Sequence, residues 1–215
     1  MKNLLRACAF ATILAAPALV TQAAAAPAIL CQPAPQPNAA LRYWQAIHGV
    51  QTEDSQKLRE AYTGPNSALT DEVKELLSKH RSEVNILIKA SKMERCDFEV
   101  DYDEGFNAIL PHLSPLRNSA RILALDAQRA MSEGKPDEAA ERLAAIFSMA
   151  RHVCSDKLLI SSLVGIAIES LAETNLQSMN DRLTQEGRAD VLAALDKYDT
   201  VDPFGVRANH RVLLG

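Results

Sequence analysis

The chain has 215 residues, 47% apolar and only 5% aromatic, with 23 Lys or Arg against 27 Asp or Glu and a formal charge of −4. That apolar content excludes a chain disordered throughout, and the length suits one domain with a real core or two small ones. An acidic chain without a basic run argues against nucleic acid and against electrostatic docking on anionic lipid.

Residues 1–23 read as a secretory signal peptide. Lys2 and Arg6 give a positive start, Ala7 to Val20 is a short apolar stretch, and "TQAAAA" offers small residues for cleavage after Ala23. The apolar stretch is short for a bilayer and contains Pro17. The mature chain is therefore expected in the periplasm or outside the cell, with no stable membrane span after cleavage. Loss of Lys2 and Arg6 takes the charge from −4 to −6. Cys8 leaves with the signal, so Cys31, Cys96 and Cys154 remain, and three thiols cannot all pair within one chain. Cys154 shares a helical stripe with Ile146, Phe147 and Ala150 and reads as a buried thiol. Cys31 and Cys96 lie in non-helical context and are the expected disulfide, closing a 66-residue loop. The chain-entropy model puts such a bridge at about 4 kcal/mol.

Residues 24–37 are a Pro-rich segment that favours an extended path. Asn38 then caps a helix, "AALRYWQAIHGV", with Leu41, Trp44, Ile47 and His48 on one face. "EDSQKLREAY" is a second, weaker helix, ended by Gly64 and Pro65. Thr70 caps one long helix from Asp71 to about Met93, whose apolar stripe is Val73, Leu77, Val84, Leu87 and Ile88, with His80 on the same line. "ERCDFEVDYDEG" is extended or looping, and "LPHLSPL" punctuates again. Helical patterns follow from Arg117 to about Met131, from Pro136 to about Val153, from a cap at Ser155 or Asp156 to about Met179, and from Ala189 to Tyr198. The fold class is all-α, about seven helices in antiparallel hairpins, as a single domain over residues 38–215.

Around the turn at Gly134, Leu123, Ala127 and Ala130 precede the glycine, and Ala139, Leu143 and Ile146 follow it. This spacing resembles one tetratricopeptide-type helix–turn–helix repeat, without the usual bulky aromatics at Leu123 and Ala130. More widely, "CDFEVDYDEG", "LPHLSPLRNSARILAL" and "LISSLVGIAIE" resemble a group of uncharacterised exported bacterial helical proteins, a likeness that implies an all-α fold and no particular activity.

The candidate binding residues are Glu169, Arg121, Arg117, His112 and Trp44. Glu169 falls on a seam of small residues with Ser162 and Gly165, where a neighbouring helix comes close, so its carboxylate needs a partner. Arg121 is the expected partner in a structural ion pair; a ligand site on the same groups is the alternative. Arg117 and Arg121 lie four apart on one helix face and repel mildly unless an anion sits between them. His112 lies in a loop shortly before Arg117, His80 reads as a hydrogen-bonded core residue, and His48 is placed to stack on Trp44. The acids of "CDFEVDYDEG" fail the calcium-loop template at Tyr102 and Ala108 and read as a solvated loop, so no metal is expected. No nucleophile elbow, zinc-protease, phosphate-loop or dinucleotide motif is present, and no cofactor is implied. The expected function is capture of a protein or peptide partner in the cell envelope by stacked hairpins. The alternative is a hydrolase or ligand-binding pocket around Glu169, His112 and Arg121. Mass spectrometry of the native protein is expected to find a new N-terminus near Ala24; recovery of intact Met1 from the envelope would contradict cleavage and favour the alternative, an uncleaved anchor.

Overall fold

The computed structural model describes residues 37–198, leaving out the side chains of 105–107 and 198. The signal peptide, the Pro-rich segment before Pro37, Cys31 and the terminal "VDPFGVRANHRVLLG" lie outside the described residues, and with Cys31 goes its expected bridge to Cys96.

All regular structure among the described residues is helical. The helices are α1 (Ala39–Gly49), α2 (Thr52–Ala61), α3 (Asp71–Lys79), α4 (Arg81–Ser91), α5 (Leu113–Ser132), α6 (Pro136–Cys154), α7 (Leu159–Met179) and α8 (Gln185–Tyr198), with short 3-10 turns at Tyr102–Asn107 and Asn180–Arg182. Local signals set several starts. Asn38 accepts from the Ala40 amide, Thr70 accepts from the Val73 amide at 3.3 Å, and Pro136 opens α6, where no intrahelical N–H is lost.

The expected helix from Asp71 to Met93 is two helices, which raises the number from about seven to eight. The break is at His80, with φ −100° and ψ 24°, and its cause is not local. His80 is buried and its Nε2 lies 2.8 Å from the Asp54 carboxylate of α2, which turns the chain there while the apolar stripe continues. Helix α5 starts at Leu113 rather than Arg117. Pro115 falls in its first turn, where amides have no intrahelical partner, so it does not stop the helix.

Helix α6 occupies the centre and packs against α4, α5, α7 and α8. Its Ala139, Ala140, Ala145 and Ala150 let neighbours approach from several sides, while Leu143, Ile146, Phe147 and Met149 fill the space between. Helices α5 and α6 form an antiparallel hairpin. Gly134 turns it at φ 72°, and the Lys135 amide returns to Ala130 O and the Gly134 amide to Met131 O, a Schellman ending. The hairpin is clamped by charge: buried Asp126 of α5 accepts from Arg129 Nε at 2.9 Å and from Arg142 Nε of α6 at 2.8 Å. Removing one member would strand a buried ion, which costs about 3–5 kcal/mol. Helix α7 returns along α6 at Gly165, where a methyl group would overlap Cys154 Sγ. Neither Ser155 nor Asp156 caps α7: the cap position is Leu158, and the Asp156 side chain is engaged elsewhere.

A second polar knot joins α1 to α6. His152 Nδ1 shares a hydrogen bond with Tyr43 O–H at 2.9 Å, and its Nε2 lies 2.9 Å from both Met93 O and Arg151 Nη2. Burial, then the Arg151 guanidinium beside it, push the His152 imidazole down to about 4. The folded state therefore prefers neutral His152, while the unfolded imidazole titrates near an ordinary ~6.5. The contribution is complete above about pH 6.5 and is lost as pH falls toward 4, by about 3 kcal/mol in total. Urea melts at pH 7 and pH 4.5 are expected to differ by less in His152→Gln than in the wild type; equal differences would contradict the assignment.

Candidate functional site

His112, expected near a pocket, is sealed in the interior. Its Nε2 lies 2.7 Å from Asp156 Oδ2, and both residues are buried. Ser161 O–H donates to the same oxygen at 3.1 Å, Tyr102 O–H donates to Asp156 O at 2.7 Å, and the Phe98 ring stacks on the imidazole at 4.1 Å. Glu99 and Lys157, the neighbours of Phe98 and Asp156, adopt φ of 54° and 56°. Such backbone costs on the order of 1–3 kcal/mol each and persists because the surroundings over-determine it. Serine, histidine and aspartate meet here, but the serine bonds the acid and not the histidine, so no nucleophile is activated. Burial and then the Asp156 charge push the nearby Cys96 thiol up, away from the thiolate that reactivity needs. This cluster ties the 96–112 segment to the α6–α7 turn.

The arginines stand apart from it. Arg121, on α5, is half-buried, and its Nη1 donates to Asn118 Oδ1 at 3.0 Å. Burial first, then the charges of Arg117 and Arg59, push its guanidinium down. The expected ion pair with Glu169 is not formed. Glu169 is on α7, one turn beyond Gly165 and so on the side turned to α6, where it is buried and not without a partner of its own. Arg59, Tyr62, Thr63, Gly64 and Arg121 line a pocket of about 460 Å³. A second pocket of about 470 Å³ also uses Arg59 and runs past Asn118 to His48. His48 stacks on Trp44, centroids 5.6 Å apart, as the helical spacing anticipates. The geometry thus brings Arg121 and Arg117 together, places Trp44 at the far end of the adjoining pocket through His48, and leaves His112 and Glu169 in separate buried settings.

The remaining polar features have structural occupations. A groove of about 600 Å³ between α4, α6 and α8 is lined by Lys92, Glu141, Glu94 and Lys197 among others. Ion pairs Lys92–Glu141 at 2.6 Å and Lys197–Glu94 at 2.9 Å already use these charges. In the acidic loop, Asp97 accepts from the Glu99 amide and pairs with Arg95, and Asp101 accepts from the Asp103 amide, so these carboxylates shape the turn. No group of three or more His, Cys, Asp or Glu among the described residues is placed to hold a metal ion.

Sequence reasoning missed Arg59, Asp126, Arg142 and Asp156. For Asp126 a signal existed: an acid three residues before Arg129 within a strongly apolar helix. For Arg59 none did, because α2 reads as a weak, solvated helix. Comparison with protein-family models, with curated proteins and with solved structures gives no match.

Asp156→Ala is expected to lower stability by about 3–5 kcal/mol by leaving His112 and Ser161 unpaired. In a double-mutant cycle with His112→Ala, about 1–3 kcal/mol of that loss should be shared. An Asp156→Ala protein that melts with the wild type would show that the cluster carries no stability.

Proposed function

We propose that this protein is a binding domain, acting in the cell envelope after export, that captures an acidic segment of a protein or peptide partner at Arg59, Arg117 and Arg121. One observation carries the reading: in a chain of net charge −4, Arg59 and half-buried Arg121 line one pocket, Arg117 lies one turn before Arg121 on α5, and Arg121 bonds only a neutral side chain, while Arg59 has Glu60 at 3.8 Å. Like charges held together raise the energy of the free protein, and an anion between them relieves it. Guanidinium forks suit carboxylates in a bidentate manner. Helical hairpins commonly serve as recognition surfaces, and the α5–α6 pair, with its tetratricopeptide-like spacing, supports the same reading by analogy.

The arginines predict an unusual pairing of effects. Arg121→Gln and Arg117→Gln should leave the melting temperature unchanged or raise it, because repulsion is removed. Each should weaken binding of a fluorescent glutamate-rich peptide by about tenfold, equivalent to about 1.4 kcal/mol. Wild-type affinity should fall as salt rises. A wild-type protein that ignores the peptide at low salt, or arginine variants that unfold, would overturn the proposal.

A further inference from the structure

Helix α7 carries a long apolar stretch, yet only 39% of it is buried. Its covered side carries Ser161, Ser162, Gly165, Glu169, Ala172 and Asn175. On the other side Leu159, Ile160 and Leu163 are about half exposed, at 54%, 50% and 48%. Nothing among the described residues covers this face, and its position relative to the arginines follows from two bonds.

Helices α5 and α7 run side by side in the same direction, because each is antiparallel to α6. They are tied near their starts by His112–Asp156 at 2.7 Å and farther along by Gln128–Asn175 at 2.8 Å. On α5, residues 117, 121, 124 and 128 form one stripe at helical spacing, so Arg117 and Arg121 precede Gln128 along the same line. On α7, Ile160, Val164, Ala167 and Leu171 precede Asn175 along one stripe in the same way. Arg117 and Val164 each lie eleven residues before the Gln128–Asn175 pair, while His112 and Asp156 lie sixteen and nineteen before it, so Arg117 and Val164 stand within about one turn of each other. Asn175 Nδ2 also donates to Tyr62 Oη at 2.8 Å, and Tyr62 lines the pocket with Arg59 and Arg121. The arginine row and the apolar edge of α7 are therefore adjacent and parallel. From Ile160 to Leu171 the edge runs for about 17 Å at ~1.5 Å per residue.

We infer that this double row is a docking surface for an amphipathic acidic helix of a partner protein. Its apolar stripe would lie on Ile160, Leu163, Val164 and Ala167, with its carboxylates on Arg117 and Arg121. The inference rests on the reading of the arginines as an anion site and adds what completes it. Charge complementarity selects this occupant: the cations flank one side of the apolar edge only, so a ligand with acid on one side and hydrocarbon on the other satisfies both rows.

Fluorescence anisotropy with the full chain and three synthetic helical peptides of about 15 residues, long enough to span the edge, tests this. One places Leu at helical spacing beside Glu, one keeps Glu but replaces Leu by Ser, and one keeps Leu but replaces Glu by Lys. The Leu/Glu peptide is expected to bind at least about tenfold more tightly than the Ser/Glu peptide, and the Leu/Lys peptide not at all. Ile160→Ser, at a half-exposed site, should erase the advantage of the Leu/Glu peptide and leave Ser/Glu binding unchanged; Arg121→Gln should weaken both. Equal binding of the Leu/Glu and Ser/Glu peptides would overturn the docking surface while the anion site stood. No binding of either would overturn both. Binding of the Leu/Lys peptide, Ile160-dependent sedimentation with phosphatidylglycerol vesicles, or a dimer by light scattering that Ile160→Ser dissolves would each assign the face to another occupant and overturn it.

Discussion

The parallel tie between α5 and α7 governs the surface of this molecule. Two side-chain bonds, His112–Asp156 at one end and Gln128–Asn175 toward the other, hold helices that are not consecutive in the chain. Each bond joins buried polar groups, so slipping one helix along the other by a turn would break both at once, stranding His112 and Asp156 while Gln128 keeps Ser67 and Gly64 and Asn175 keeps Leu171 O. Register between the two helices is thus fixed by polar satisfaction, which apolar packing alone enforces less strictly. The alignment of Arg117 and Arg121 with the α7 edge is a by-product of that register.

Beneath it, α6 separates two kinds of cohesion. Toward α7 the contact is made by small groups, with Gly165 opposite Ala150 and Cys154. Toward α5 the alanine contacts are joined by a carboxylate shared between two arginines. Buried charge of this sort adds little net stability relative to a well-packed apolar core, yet it penalises alternatives heavily. A hairpin built mostly from Ala and Leu has many near-equivalent packings, and Asp126 singles out the one in which Arg142 reaches it.

Much of the local architecture was legible in the sequence, because the signals that set it are local. Caps at Asn38 and Thr70, the proline opening α6, the glycine turn at Gly134, the Trp44–His48 stack and the small-residue seam around Gly165 all depend on residues within a turn or two. What was not legible depends on distant partners. The break at His80 arises from an acid on another helix, in a stretch whose apolar period runs on undisturbed. The early start of α5 was hidden because prolines read as punctuation when they stand in a first turn. Glu169 was correctly placed in a seam and wrongly given Arg121, since helical periodicity fixes which side a residue faces and not which helix arrives there. Arg59 was invisible for the converse reason: α2 has little pattern of its own, and only the folded chain carries its guanidinium to α5.

The closeness of α6 and α7 at Gly165 also gives the molecule an internal clock. Cys154 is fully buried, and its sulfur lies where a methyl on Gly165 would have to go. No reagent can reach that thiol while the two helices are in contact, and because Cys154 closes α6, the opening that admits one is the parting of α6 and α7 at their shared turn. Modification of Cys154 in the native protein would therefore proceed at the rate at which α7 leaves α6, so the thiol times the opening of the helix that bears the exposed face.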